Sequence, residues 1–98
     1  MDKPINKTVS IGVTAVVVSN QLLPKQRKEI ILTNTSTGTE VISLAFGQDA
    51  VNGEGIVLYP GGSYASSKDG DFYPSELHVS AVSDTASSSL AISERIGQ

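Results

Sequence analysis

Apolar and polar residues alternate with a period of two along most of this chain. Val9, Ile11 and Val13 alternate with Ser10, Gly12 and Thr14; Ile42, Leu44 and Phe46 alternate with Ser43 and Ala45; Leu77, Val79 and Ala81 alternate with His78 and Ser80; Leu90 and Ile92 alternate with Ser89, Ala91 and Ser93. Side chains on a β-strand point alternately to its two faces, so each run predicts a strand with one apolar side. No window of helical length repeats apolar residues at i, i+3, i+4 and i+7.

The central run, Ile56-Val57-Leu58-Tyr59, opens after Gly55 and is cut off by Pro60-Gly61-Gly62. Pro60 cannot donate a ladder hydrogen bond and the two glycines allow positive φ, so the chain must turn there. Residues 16–18 are three valines, apolar on both faces. They predict either a central strand or an edge covered by a partner subunit. Residues 29–33 and 40–46, joined by the turn-rich residues 34–39, predict a hairpin. Residues 62–67 predict a further short strand before the Lys68-Asp69-Gly70-Asp71 turn. About eight short strands at roughly ten-residue spacing predict an all-β fold: a single-domain antiparallel β-sandwich, jelly-roll or immunoglobulin-like. Residues 1–7, with Pro4, two lysines and one isolated Ile5, read as a flexible N-terminal arm, leaving 8–98 as the sandwich.

At 98 residues the chain is long enough for one modest core. Charged residues make up 17%, below the roughly 25% usual in soluble domains. Ser and Thr take their place, giving a surface that is easily desolvated against a neighbour. Cysteine is absent, which excludes disulfides and thiolate metal sites. The longest early apolar stretch is too short to cross a bilayer, so no membrane partner is expected. The net charge of −3 is unevenly laid out, with +4 in residues 1–28 and −7 in residues 29–98. Lys25, Arg27 and Lys28 are expected to stand in solvent and to attach the domain electrostatically. Nucleic acid is not an expected partner, because the chain is acidic and no aromatic is interleaved with these bases.

Catalytic chemistry finds little support. Gly61-Gly62-Ser63-Tyr64-Ala65 approaches the nucleophile elbow but lacks its last glycine, a following helix and a plausible base, since His78 is the sole histidine. Asp69-Gly70-Asp71, and Asp49 with Asn52 and Glu54, offer oxygen ligands without the EF-hand spacing and read as ordinary turn residues. No enzyme, cofactor or metal is therefore expected.

Arg27-Lys28-Glu29-Ile30-Ile31-Leu32-Thr33-Asn34 begins a longer pattern. It runs through the Phe46-Gly47 strand end and Gly55-Ile56-Val57-Leu58-Tyr59-Pro60-Gly61-Gly62-Ser63. It closes with Leu77-His78-Val79-Ser80-Ala81-Val82 and Leu90-Ala91-Ile92-Ser93-Glu94. The whole resembles small β-sandwich virion structural proteins of bacteriophages, of the capsid-decoration, vertex or fibre-base type. The resemblance implies a non-enzymatic component of a virion assembled in the host cytoplasm, with other virion proteins and copies of itself as partners. It carries over no catalytic residues. The alternative is a carbohydrate- or receptor-binding module of an adhesin or tail fibre. Its aromatic stacking platforms would come from Tyr59, Tyr64, Phe72 and Tyr73, with Tyr64 and Tyr73 beside turns the leading candidates.

Overall fold

The computed structural model describes residues 3–97. Eight strands follow one another in the chain: β1 (Lys3–Ile11), β2 (Val16–Ser19), β3 (Arg27–Asn34), β4 (Ile42–Phe46), β5 (Ile56–Leu58), β6 (Ser63–Ser67), β7 (Val79–Ser83) and β8 (Ser88–Ile96). They form two four-stranded antiparallel sheets, ordered β1-β8-β3-β6 and β2-β7-β4-β5. Only β4 and β5 are consecutive strands that pair within one sheet; every other connection crosses between sheets. This order fits the double-sheet jelly roll and departs from the ABED/CFG order of immunoglobulin domains.

The two inner faces meet in one core of Ile11, Val18, Ile30, Leu32, Ile42, Leu44, Leu58, Val79, Ala81, Leu90 and Ile92. Val9, Phe46, Ile56 and Tyr64 pack at its margins. The inward phase expected for Ile42, Leu44, Leu90 and Ile92 is the phase observed. Asn34 continues the inward phase of Ile30 and Leu32 and is fully buried. Its amide donates to the carbonyls of Glu40 and Leu58, 2.9 Å each, and its Oδ1 accepts from Ser36 N. Its backbone joins the Pro60-Gly61-Gly62 turn through Gly61 N to Asn34 O and Asn34 N to Gly62 O. Side chain and backbone together make this one residue tie the β3–β4 connection, the end of β5 and the Pro60-Gly61-Gly62 turn.

Three local expectations are corrected. Residues 3–7, assigned to a flexible arm, pair in continuous register with residues 92–96 of β8, since the ladder satisfies backbone groups whatever the side chains are. Met1 and Asp2 lie outside the described residues. The hairpin expected of residues 29–46 is instead a crossover, because β3 pairs with β6 and β8 while β4 pairs with β5 and β7. Ser43 and Ser80, expected outward, are buried because residues 47–55 fold over that face. Gly53 N donates to Ser43 Oγ, Ser80 Oγ donates to Gln48 O, and Ala50 is buried with them. The outer face of the β1-β8-β3-β6 sheet has no such cover. It carries a shallow groove lined by Asn6, Thr8, Ile31, Thr33, Ala91 and Ser93.

Candidate interaction surfaces

Glu94 continues the inward phase of Leu90 and Ile92 and carries a carboxylate into the base of the sandwich, where it is 4% exposed. A buried carboxylate needs a partner. Two β-bulges deliver it. In β3, Arg27 pairs with Ile96 and Glu29 with Arg95, so Lys28 is the extra residue and Arg27 turns to the inner face. In β2, Val17 pairs with Ser80 and Ser19 with Val79, so Val18 is extra and Ser19 turns inward. Arg27 Nε meets Glu94 Oε2 at 2.7 Å, and Ser19 Oγ donates to the same oxygen at 2.7 Å. The guanidinium also donates to Ser19 Oγ, to the carbonyls of Asn20 and Leu77 at 3.2 and 2.8 Å, and to Ser75 O. Arg27, expected in solvent as an attachment residue, is therefore 0% exposed and fixes the structure instead.

By gripping Ser75 and Leu77, Arg27 holds the loop between β6 and β7 against the loop between β2 and β3. Leu22 N to Glu76 O ties the same loops, and Lys68 N to Lys28 O ties the β6–β7 loop to the start of β3. This brings Tyr73 among three lysines far apart in sequence. The ammonium groups of Lys28, Lys68 and Lys25 lie 4.9, 5.4 and 5.8 Å from its ring centroid. None of the three forms an ion pair with a carboxylate among the described residues. Lys25 is the only non-glycine described residue with positive φ, at 66°. The sequence concealed this cluster, because the aromatic missing beside Lys25 and Lys28 arrives from 45 residues further along the chain.

Tyr64, the other tyrosine singled out, faces inward and packs edge-on against Phe46 with centroids 5.9 Å apart. The exposed aromatics are Tyr59 and Phe72, 67% and 58% exposed. Ser63 opens a strand rather than a helix. Asp69 and Phe72 exchange backbone hydrogen bonds across a tight turn, with Gly70 at φ 58°. Among the described residues no group of three or more His, Cys, Asp or Glu could hold a metal ion.

A third surface lies along β2. It ends its sheet, so the triple-valine run is an edge strand and not a central one. Val16 and Val17 are 40% and 53% exposed, and Val13 in the preceding loop is 64% exposed. Residues 8–24, which include this edge, contain no charged side chain. Edge strands are usually protected by charge or proline. β1 has such protection in Pro4 and in Lys7, which is aligned with Ile92 yet exposed. β2 has only its shortness and its bulge.

No family model and no curated protein matches the chain in sequence. Among solved structures, one described as "Bacillus endospore appendages form a novel family of disulfide-linked pili" is similar, with a TM-score of 0.66 at 16% identity over 98% of this chain and 86% of that one. At this identity the likeness shows the fold, an all-β two-sheet domain. The disulfides named for that protein have no counterpart in this chain, which contains no cysteine.

Proposed function

We propose that this chain is a non-enzymatic structural subunit whose copies associate through the β2 edge to build a larger particle. The observation that carries the reading is an uncharged sheet edge with exposed valines on both of its faces. An added strand gains main-chain hydrogen bonds there and buries the valines, and no charge has to be desolvated. A specific interface buries at least about 1,000 Å² in total. Four residues of β2 cannot supply that, so the contact must extend over the β1–β2 loop and much of residues 8–24. The pilus subunit described above lends support, being a similar fold in a protein that forms an appendage. The resemblance of residues 27–94 to phage virion proteins supports the same mechanism in another particle, with the chain as a capsid-decoration, vertex or fibre-base component.

The test is a comparison of the unaltered chain with Val17→Lys by sedimentation velocity over a wide concentration range. Val17 lies outside the core, so the variant keeps its Tm. The reading expects concentration-dependent association in the unaltered chain and a monomer in V17K. Equal association of the two refutes it.

A further inference from the structure

We propose that Lys25, Lys28 and Lys68, arrayed around Tyr73, form a binding site for a polyphosphate-type anion, a chain of linked phosphate groups. The claim is independent of the β2 edge and concerns three cations without a carboxylate partner among the described residues, in a protein of net charge −3.

Like charges gathered at one point repel, and proteins ordinarily intersperse carboxylates to relieve this. Here no described carboxylate lies within ion-pair distance of the three, and each stands instead near the ring of one tyrosine, an attraction that is weak at exposed sites. The grouping is enforced. Lys28 is the bulged residue of β3, Lys68 is fixed by its backbone bond to Lys28, and Tyr73 is held two residues before the Ser75 carbonyl that Arg27 grips. Lys25 is kept in a backbone conformation that residues with a side chain seldom adopt. All three ammonium groups stand 4.9–5.8 Å from one centroid. Three positive charges about one ring are matched by a ligand carrying several negative charges, which a chain of linked phosphates supplies and a single phosphate, with about two at neutral pH, does not. Lysine suits this task as a flexible point charge that binds phosphate without demanding a fixed fork geometry. One aromatic ring, already flanked by cations, offers little for stacking successive bases, which favours a phosphate chain over single-stranded nucleic acid.

The experiment titrates the full chain with tripolyphosphate at low salt by calorimetry, with ¹H–¹⁵N spectra locating the perturbed residues. Orthophosphate and an oligothymidylate of matched charge serve as comparison ligands. The proposal expects saturable tripolyphosphate binding that weakens steeply with salt and shifts the amides around Lys25, Lys28, Lys68 and Tyr73. Orthophosphate should bind at least tenfold more weakly. Lys25→Gln/Lys28→Gln/Lys68→Gln should lose at least tenfold in affinity with its Tm retained, Tyr73→Phe should bind normally, and Lys7→Gln should match the unaltered chain. Undiminished binding by the triple variant overturns the site, as does the absence of saturable binding in the unaltered chain. Markedly tighter binding of the oligothymidylate overturns the assignment of its ligand. If the triple substitution abolishes self-association and leaves tripolyphosphate binding intact, the cluster is a contact between copies and the proposal fails.

Discussion

Replacing Arg27 by Met should be among the most damaging single substitutions in the chain. Methionine fills much of the same space but leaves Glu94 as a buried carboxylate with only the Ser19 hydroxyl, and it strips the donor from the carbonyls of Asn20, Ser75 and Leu77. Removing one partner of a buried ion pair costs about 3–5 kcal/mol. A domain of this size has a total stability of roughly 5–15 kcal/mol. At about 4–8 °C per kcal/mol for a chain of this length, the expected fall in Tm is on the order of 20 °C. The double variant Arg27→Met/Glu94→Leu removes the stranded charge together with its partner, and should recover a large part of that loss. Thermal unfolding followed by circular dichroism measures all three variants. A single-variant fall of under about 5 °C would refute the claim that Arg27 locks the base of the sandwich, because an exposed surface residue contributes that little.

Three further outcomes are expected. Asn34→Ala orphans the buried carbonyl of Leu58 and frees the β3–β4 connection at Ser36 and Glu40, costing about 1–3 kcal/mol in chemical denaturation. Gly53→Ala and Gly55→Ala both place a Cβ on a residue with positive φ, a strain of about 1–2 kcal/mol. Only at Gly55 would that Cβ also lie 2.6 Å from the Leu44 carbonyl oxygen, so G55A should lower the Tm well beyond G53A, and equal Tm values would contradict this. Deleting residues 1–7 removes the pairing of residues 3–7 with 92–96, and should cost several kcal/mol at about 1 kcal/mol per hydrogen bond, where loss of a loose arm would cost nothing.

The fold class was legible because period-two alternation is a local signal, and β4 and β8 follow it faithfully. The candidate surfaces were less so. Arg27 counts as outward when the alternation is run back from Ile30, and no glycine marks the bulge at Lys28 that reverses it. The one available sign was Glu94, an acid in phase with Leu90 and Ile92, which called for a buried cation. The crossover between β3 and β4 was hidden for another reason: residues 34–41 are turn-forming whether the next strand pairs beside the last or across the sandwich. The Tyr73 cluster depends on loops that only the folded chain brings together. The β2 edge was half visible, since its valines posed a choice that strand order alone could resolve.

A subunit that builds particles through an uncharged edge must associate with itself. Sedimentation velocity of the unaltered chain, from dilute to concentrated solution, addresses this most directly. The account predicts a shift from monomer to a discrete oligomer or to fibres as concentration rises. A single monomeric boundary at every concentration would contradict it.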